Sequence, residues 1–201
     1  AIKGLTAPLF TTTSASIKGL HLVDVNISAS EERTLGALVS TYTGTSIANC
    51  SVSGNITLTR DDSKSNYIGA LVGNITTAVN FEILNCVNNC AVTVTVSGTS
   101  ASYTTNVAGI VGKTDDVADT VVATIKGNTN NGAISLLGTA KSPLRVGGVL
   151  GNCGYVDLNV EDCHNTAAIS VGSAKSEFNT SEGMRIGGVI GSLYRATAAN
   201  T

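Results

Sequence analysis

Short apolar segments recur along this chain at a nearly constant spacing. The most distinctive is an aliphatic-Gly-small-aliphatic-aliphatic segment, whose copies are separated by 33 to 40 residues. Its copies begin at Leu35, Ile68, Val107, Val146 and Ile186. A degenerate copy spans residues 4–10. Such self-similarity is typical of repeat architectures, in which each repeat packs against its neighbours.

Two further segments follow each glycine segment. The second is an aliphatic residue followed by a polar turn, and it begins at Ile17, Ile47, Ile83, Ile125 and Val160. The third alternates apolar and polar residues, and it spans residues 25–27, 55–58, 91–94, 133–136 and 168–171. Alternation with a period of two predicts β-strands, and the Gly, Asn, Ser and Asp residues between the segments favour turns.

This pattern predicts an all-β protein, a parallel β-solenoid of about five coils with three short strands per coil. Stacking at about 4.8 Å per coil would bury the apolar faces in one core and pair every strand with the next coil. A β-propeller or a β-sandwich is the alternative, although a propeller blade needs four strands. We also expect length variation to be confined to the loop before each glycine segment, since insertions in a solenoid map to one face.

The composition narrows the functional classes. The 201 residues are 42% hydrophobic and 13% charged, which excludes a disordered chain. A net charge of −2 argues against a nucleic acid partner, and the short apolar runs argue against membrane insertion. Aromatic residues make up only 4%, which disfavours stacking platforms for bases or sugars.

Residues 146–151 and 160–165, which read Val-Gly-Gly-Val-Leu-Gly and Val-Glu-Asp-Cys-His-Asn, resemble a GLUG-type repeat. Residues 68–95 are another good copy, and the resemblance extends over nearly the whole chain. Repeats one and four depart from the motif, because Leu20 and Asn128 replace its Cys. The resemblance implies a right-handed parallel β-helix of a secreted or surface-anchored kind, several of which are adhesin-like. It implies no catalytic residue, because the motif is structural.

Glycine pairs such as Gly147-Gly148 could be confused with a dinucleotide-binding loop. That loop requires a strand, a glycine-rich turn and then a helix. Since the pattern recurs in each repeat without a helical sequence after it, we expect no cofactor. Glycine is expected instead where the chain bends tightly or where two backbones approach closely.

Five cysteines are present. Cys50, Cys86 and Cys163 occupy the same position of their repeats, which predicts a buried ladder of free thiols, because parallel Cβ vectors on stacked strands disfavour disulfide geometry. A disulfide between Cys153 and Cys163, which share a coil, is the alternative. The Cys86-x3-Cys90 spacing is a weak metal motif with no His nearby.

No catalytic, cofactor-binding or metal-binding residue is predicted. His21 and His164 are expected on similar outward sites about four coils apart, roughly 19 Å, which is too far for a catalytic pair or a zinc site. Three acidic clusters fall in loops or turns, where solvated carboxylates are expected. They are Asp61-Asp62, Glu161-Asp162 and Asp115-Asp116 with Asp119. A calcium site formed by Asp115, Asp116 and Asp119 is the alternative for the third cluster.

Thr57 and Thr59 recur as Thr93 and Thr95 one repeat later, and a regular threonine grid could order water. Leu137 interrupts this grid in the next repeat, so we expect these threonines to be ordinary polar residues on the outer face rather than a water-ordering surface. Asn-x-Ser/Thr sequons, which would carry glycans in a eukaryotic secreted protein, are at Asn26, Asn49, Asn55, Asn74 and Asn179.

The favoured functional hypothesis is an extracellular or cell-surface module without enzymatic activity, which acts as a scaffold or an adhesive surface. Its contact surface would be the variable loops, which stack along one edge of a solenoid. These loops are residues 31–34, 60–67, 98–106, 138–145 and 172–185. The alternative is a carbohydrate-binding or polysaccharide-degrading β-helix with acidic groups in a groove between the loops.

Residues 1–201 are expected to form one solenoid domain that is a segment of a longer protein, because the glycine segment both opens and closes the chain. The expected partners are a protein or glycan ligand and neighbouring repeats or domains of the same protein. End-to-end self-association is an alternative, since solenoid ends need capping. No nucleic acid, membrane or cofactor partner is expected.

Overall fold

The computed structural model describes residues 1–61, 63–98, 100, 102–115, 120–154, 156–172 and 183–193. Within these ranges the chain consists of β-strands, turns and bends, and it contains no helix. All the strand pairs in these ranges are parallel. The all-β prediction is therefore confirmed for the part of the chain that the structure describes.

The described strands are short, except for three longer ones that each follow a polar turn. In chain order they are β1 (Ile2–Lys3), β2 (Phe10–Thr13), β3 (Ile17–Lys18), β4 (His21–Ala29), β5 (Thr34–Leu35), β6 (Val39–Tyr42), β7 (Ser46–Ala48), β8 (Ser51–Asp61), β9 (Asn66–Gly69), β10 (Val72–Ile75), β11 (Phe81–Leu84), β12 (Val87–Ser97), β13 (Thr105–Ala108), β14 (Val111–Thr114), β15 (Val122–Lys126), β16 (Thr129–Asn130), β17 (Ile134–Gly138), β18 (Leu144–Gly147), β19 (Leu150–Cys153), β20 (Asp157–Glu161), β21 (His164–Asn165), β22 (Ile169–Val171), β23 (Met184–Gly187) and β24 (Ile190–Leu193).

These strands form four sheets, and each sheet takes its neighbouring strands from successive repeats. Sheet A contains β1, β4, β8, β12, β16, β17, β21 and β22, and sheet B contains β2, β6, β10, β14, β19 and β24. Sheet C contains β3, β7, β11, β15 and β20, and sheet D contains β5, β9, β13, β18 and β23. Stacked parallel sheets of this kind are consistent with a β-solenoid.

The pairing register confirms the repeat alignment that the sequence predicts. In each of the three segments, the aliphatic residue of one repeat is the Cα partner of the same residue in the next repeat. The three columns are Leu35, Ile68, Val107, Val146 and Ile186 in sheet D; Ile17, Ile47, Ile83, Ile125 and Val160 in sheet C; and Ile27, Ile56, Val92, Ile134 and Ile169 in sheet A.

The prediction of three strands per repeat is wrong, because the glycine segment contributes strands to two sheets. In the repeat that begins at Ile68, β9 lies in sheet D, β10 lies in sheet B, and Ala70 and Leu71 form the bend between them. The two strands lie so close together that a Cβ atom on Gly69 would overlap the carbonyl oxygen of Val72. Glycine is therefore required here by the close approach of two backbones, as the sequence predicts.

The prediction that length variation is confined to one connection is also wrong. The connection from sheet B to sheet C varies as well, from residues 43–45 in one repeat to 76–80 and 115–121 in the next two. Both kinds of connection lie outside the ladders, where added residues remove no strand pairing. The molecule therefore has two variable edges rather than one.

A residue with positive φ ends the sheet C strand in each repeat. Gly19, Asn49, Asn85, Gly127 and Asp162 have φ angles between 50° and 67°. Most L-residues avoid this conformation because Cβ approaches the backbone, whereas Gly, Asn and Asp adopt it most readily. This requirement explains which residue types stand in the polar turn of the second segment.

A ladder of asparagine side chains runs through sheet A beside the apolar core. Asn88, Asn130 and Asn165 are register partners in successive repeats. Asn88 Nδ2 donates to Asn130 Oδ1 at 2.6 Å, and Asn130 Nδ2 donates to Asn165 Oδ1 at 2.7 Å. Each side chain also donates to the carbonyl oxygen two residues later, as Asn130 does to Gly132 at 3.0 Å. The ladder thereby satisfies buried amides within the stack.

Candidate functional site

The variable loops before the glycine segments lie on one edge of the stack, as the sequence predicts. Each one connects the end of a sheet A strand with the start of a sheet D strand, as residues 62–65 connect β8 with β9. Because both sheets continue through successive repeats, consecutive loops are neighbours. We call this surface the loop edge. Its described residues are 31–34, 60–61, 63–67, 98, 100, 102–106, 138–145, 172 and 183–185.

Arg33 joins two neighbouring loops of the loop edge. Its Nη2 donates to Asp61 Oδ1 at 2.7 Å and to Ser63 Oγ at 3.0 Å. Its Nη1 donates to the carbonyl oxygen of Lys64 at 3.2 Å and to Asn66 Oδ1 at 3.3 Å. Hydrogen bonds from Arg33, and then from Ser63, hold the pKa of the Asp61 carboxyl well below its usual range. Asp61 is therefore an ionised member of this loop network.

Hydrogen bonds also connect the next loops along the edge. Asn66 Nδ2 donates to Thr105 Oγ1 at 3.2 Å, and the Thr105 amide donates to the carbonyl oxygen of Pro143 at 3.0 Å. Tyr103 exposes 41% of its surface in the same region. The loop edge is therefore a continuous surface in which each loop rests on the next.

A second polar feature overlaps the loop edge, where sheet D meets sheet B. One column of register partners in sheet D contains the residues directly before the last four glycine segments, namely Tyr67, Asn106, Arg145 and Arg185. One column in sheet B contains the residues directly after each closing glycine, namely Asn74, Lys113, Asn152 and Ser192. We call these eight residues the polar seam.

Two contacts join the columns of the polar seam to each other. Arg185 Nη1 donates to Ser192 Oγ at 3.0 Å. Lys113 Nζ lies 5.0 Å from the centre of the Tyr67 ring, which is a cation–π contact, and it also pairs with Asp115 Oδ1 at 2.8 Å. Side chains of the two columns therefore contact each other at these two places.

Three amide oxygens of the polar seam have no hydrogen-bond partner among the described residues. They are the Oδ1 atoms of Asn74, Asn106 and Asn152, whose exposed fractions are 6%, 0% and 2%. A buried polar group without a partner costs about 1–3 kcal/mol, and native proteins almost always satisfy such groups with protein, water or a ligand. These three oxygens are shielded from the surface, so they are unsatisfied acceptors inside the fold.

A cleft of about 350 Å³ lies at the other variable edge, between sheets B and C. Its lining residues are Thr45, Ser46, Asn80, Phe81, Glu82, Val122 and Thr124. Ser46 Oγ donates to Glu82 Oε1 at 2.8 Å. Glu82 is the one carboxylate among the described residues that line the cleft, whereas glycoside hydrolysis generally uses a pair.

Among the described residues, the carboxylates that the sequence singles out form no group of three that could hold a metal ion. Glu161 pairs with Lys126 on sheet C at 2.6 Å, and this contact lowers the pKa of Glu161 and raises that of Lys126. Asp162 occupies the positive-φ turn. The remaining acidic candidates, including most of the calcium alternative, lie outside the described residues and are Asp62, Asp116 and Asp119.

The two histidines are exposed and lie in one column of register partners in sheet A. The successive register partners in this column are His21, Ser51, Val87, Thr129 and His164, so the two histidines are four strand spacings apart. The structure therefore separates the histidines, as the spacing predicts. Across the described ranges no three His, Cys, Asp or Glu side chains are grouped to hold a metal ion. The same ranges contain no helix that could cross a lipid bilayer.

None of the five cysteines forms a disulfide, so the Cys153–Cys163 alternative is wrong. The predicted buried ladder is confirmed for Cys50 and Cys86, whereas Cys163 is half-buried. Cys50 and Cys86 each point their Sγ atoms at the carbonyl oxygen two residues earlier, at 3.3 Å and 3.4 Å. The contact with Cys50, together with burial, raises the pKa of Cys86 far above its usual range. Burial raises the pKa of Cys90 to about 12.

Asn128, which replaces the motif cysteine in its repeat, supplies the hydrogen bonds that this position needs. Its Nδ2 donates to the carbonyl oxygen of Ile83 at 2.8 Å, and its Oδ1 accepts the Cys86 amide at 2.9 Å. Asn128 is fully buried. The departure from the motif therefore preserves the contact between repeats.

The threonine pairs of sheet A are register partners, as the sequence predicts. Thr57 pairs with Thr93, and Thr59 with Thr95, but Leu137 follows Thr95 in the next repeat. The grid therefore ends where the sequence predicts.

The sequons differ in exposure. Asn26, Asn49 and Asn55 are exposed, whereas Asn74 is 6% exposed and belongs to the polar seam. Asn179 lies outside the described residues. A glycan could therefore be attached at the first three positions without displacing core residues, but not at Asn74.

The fold defines an all-β repeat protein with β-helix-like stacking of parallel strands. Residues 32–57 match the family model of the GLUG motif. The matched residues run from the loop edge through β5 to β8, so they contain the glycine segment, the polar turn and the third segment of one repeat. The chain therefore carries a GLUG motif, a motif of repeat-containing and often extracellular proteins, which confirms the resemblance. Comparison with curated proteins and with solved structures gave no match.

Proposed function

We propose that this protein is a secreted or cell-surface adhesive module, a right-handed parallel β-helix of about five coils whose loop edge binds a protein or glycan. The stacking of consecutive loops between sheets A and D carries the proposal. Binding residues are disproportionately found on loops that a rigid scaffold positions. The right hand is expected because crossover connections between parallel strands are almost always right-handed.

The module acts through binding rather than through catalysis. Three of the carboxylates that could serve as acids or bases are engaged by cations: Asp61 by Arg33, Asp115 by Lys113 and Glu161 by Lys126. Hydrogen bonds from Arg33 and Lys126 lower the pKa of Asp61 and of Glu161 and so favour their ionised forms, whereas a general acid needs a carboxyl group that is protonated at the working pH. An extracellular location is supported by the GLUG motif and by the low content of charged residues, 13%.

The loop edge is tested by replacing its loops while keeping the sheets. In one variant, Gly-Ser linkers of equal length replace residues 62–65 and 98–104, and binding is measured on arrays of glycans and extracellular matrix proteins. We expect at least a tenfold loss of affinity for the ligand found with the unmodified chain. A control variant replaces Thr57, Thr59 and Thr93 on the outer face of sheet A with Ser.

The melting temperatures of both variants are measured alongside their binding. Loss of binding in the loop variant, with a melting temperature close to that of the control, supports the loop edge as the contact surface. Binding that survives the loop replacement would count against it, and the cleft around Glu82 would then be the next surface to substitute.

A carbohydrate-binding β-helix is the second candidate, and the polar seam is the observation that favours it. The seam places the half-buried ring of Tyr67 and the exposed cation of Arg185 in one column that overlaps the loop edge. A polysaccharide-degrading enzyme would release reducing ends or unsaturated products, which product detection on a polysaccharide panel measures. We expect binding without such products.

A further inference from the structure

Glu82 is a half-buried carboxylate that lines the cleft between sheets B and C. Its Oε1 accepts a hydrogen bond from Ser46 Oγ at 2.8 Å, and its side chain has no other hydrogen bond and no ion pair with a described residue. Lys126, the exposed cation of β15, pairs with Glu161 instead. The cleft therefore offers a carboxylate with spare acceptor capacity to a ligand.

The other polar side chains of the cleft are neutral, and most of them carry hydroxyl groups. Ser46, Glu82 and Thr124 are register partners on β7, β11 and β15, so Ser46 and Thr124 are two strand spacings, about 9.6 Å, apart. The hydroxyls of Thr45 and Thr124 make no hydrogen bond to a described residue. A ligand that lies along this column therefore meets hydroxyl groups on both sides of the carboxylate.

Hydrogen bonds between repeats hold the walls of the cleft. The Glu82 amide donates to the carbonyl oxygen of Thr45 at 2.9 Å, and the Val122 amide donates to Asn80 Oδ1 at 2.9 Å. Phe81 is buried and Val122 is half-buried, so an apolar surface adjoins the polar groups. The volume of about 350 Å³ is at the lower end of the range for small-molecule sites, which suits a disaccharide-sized ligand.

We propose that this cleft binds an amino sugar, a glycan unit that carries a protonated amine beside its hydroxyl groups. The ammonium group donates to the Glu82 carboxylate in a charge-assisted hydrogen bond. The sugar hydroxyls bond with Thr45 and Thr124, and the carbon-bound hydrogens of the ring pack on Val122. Because the cleft lies at the other variable edge, this site is separate from the loop edge and goes beyond the proposed function.

Other ligands meet only part of these requirements. A neutral sugar supplies hydroxyl groups but leaves the Glu82 carboxylate without a counter-charge. A lysine side chain of a protein supplies the ammonium group, but its alkyl stem has no partner for the hydroxyls of Thr45 and Thr124. Calcium takes about six to eight oxygen ligands, and the described ranges contain no group of three His, Cys, Asp or Glu side chains that could hold a metal ion.

Three disaccharides with the same β-1,4 linkage test the ligand class on the full 201-residue chain by isothermal titration calorimetry at mildly acidic pH. They are the glucosamine disaccharide, its N-acetylated form and cellobiose, and dilysine is the fourth probe. We expect the glucosamine disaccharide to bind at least tenfold more tightly than the other three, and its affinity to fall as salt concentration rises. Equal binding of a neutral disaccharide or of dilysine, or no binding of the glucosamine disaccharide, overturns the proposal.

Substitutions in the cleft test the location of the site. Glu82→Gln keeps an acceptor for Ser46 but removes the charge, so it should lower the affinity for the glucosamine disaccharide at least tenfold while the melting temperature stays close to that of the unmodified chain. Thr124→Val removes one hydroxyl and should lower this affinity about threefold. Glu161→Gln, which removes a carboxylate of the same sheet outside the cleft, is the matched control and should leave the affinity unchanged.

The outcomes separate this inference from the proposed function. If Glu161→Gln weakens binding as much as Glu82→Gln does, the amino sugar responds to overall charge and the cleft is not its site. If loop replacement abolishes binding of an array ligand while Glu82→Gln leaves the disaccharide affinity unchanged, the adhesive function stands and this inference is wrong. If Glu82→Gln abolishes disaccharide binding while the loop variant retains every ligand, this inference stands and the loop edge is not the contact surface.

Discussion

Gly148 packs closely against two neighbours: the backbone of the following repeat and a side chain of its own repeat. A Cβ atom at this position would overlap the carbonyl oxygen of Gly188 and the side chain of Asn165. Gly188 is the equivalent glycine one repeat later, and no atom of the described residues lies within 4 Å of a Cβ placed there. Within the described part of the chain, two positions that the repeat pattern makes equivalent therefore differ in their surroundings.

This difference predicts unequal effects of one substitution. Gly148→Ala should lower the free energy of unfolding by about 2 kcal/mol, because the added methyl group forces the packed backbones apart. Gly188→Ala should change it by less than about 0.5 kcal/mol. Urea unfolding of both variants measures the two values. Equal losses would show that the glycine requirement comes from local conformation rather than from contact between repeats.

The polar turn of sheet C sets a second requirement on single residues. Asn85 has a φ of 52° and Asp162 a φ of 50°, at positions where Gly19 and Gly127 also stand. The sequence restricts this position to Gly, Asn and Asp, and steric repulsion of Cβ gives the reason. Which asparagines adopt positive φ follows only from their place in the repeat, because Asn is common elsewhere in the chain.

The asparagine ladder belongs to the scale of the structural element, since it exists only when three strands of sheet A are in register. Asn130 is fully buried and takes part in hydrogen bonds with Asn88, Asn165 and the backbone of Gly132. Its neighbour Asn131 is exposed, and its side chain bonds only to exposed groups. Adjacent asparagines therefore have different energetic roles.

Asn130→Ala should lower the free energy of unfolding by about 3 kcal/mol, because it leaves buried donors and acceptors of its neighbours without partners. Asn131→Ala should cost less than about 1 kcal/mol, since water can replace its exposed hydrogen bonds. Chemical denaturation of the two variants is the measurement. A loss at Asn131 as large as that at Asn130 would contradict the role assigned to the ladder.

The glycine segment shows how an element can differ from its sequence pattern. Its apolar run reads as one strand, but Ala70 and Leu71 bend the chain, and β9 and β10 join different sheets. A short apolar run does not reveal whether the chain reverses within it. The bend also creates the polar seam, because it turns the residues on either side of the segment towards each other.

At the scale of the whole molecule, the described repeats are held together by parallel ladders and apolar columns without a covalent cross-link. All five cysteines are free thiols, and Cys163 alone is half-buried while the other four are buried. The stability of the fold should therefore be independent of the redox state of the solution.

Thiol chemistry tests this prediction. At pH 8, iodoacetamide should modify Cys163 first, and Cys90 should react only on unfolding, because burial raises its pKa to about 12 and keeps it protonated. Mass spectrometry after denaturation should find five modifiable thiols, and a reductant should leave the melting temperature unchanged.

The raised pKa of Cys90 also predicts how the stability of the fold depends on pH. The folded-state pKa of Cys90 is above its ordinary value of 9.0, so its contribution to stability is complete below about pH 9 and is lost as the pH rises towards 12. Fast modification of Cys90 in the native protein at pH 8 would contradict both statements.

Much of the architecture can be predicted from the spacing of apolar residues. Columns such as Ile47, Ile83 and Ile125 pair in the register that the alignment predicts. The loop edge was predictable too, because loops between equivalent segments must follow one another along the stack. The polar seam was missed, although its signal is present as polar residues such as Tyr67 and Asn74 on either side of each glycine segment.

The sequence by itself determined the repeat, its all-β character, the register of its aliphatic columns and the residue types of its turns, because periodicity and backbone conformation are local properties of the chain. The tertiary structure alone decided that the glycine segment spans two sheets, that Asn88, Asn130 and Asn165 share hydrogen bonds, and that two polar columns face each other. The sheet pairing and the shared asparagine hydrogen bonds depend on contacts between residues about 40 positions apart, which form only when successive repeats stack. The facing columns also depend on the bend within each glycine segment, which brings Arg185 to Ser192.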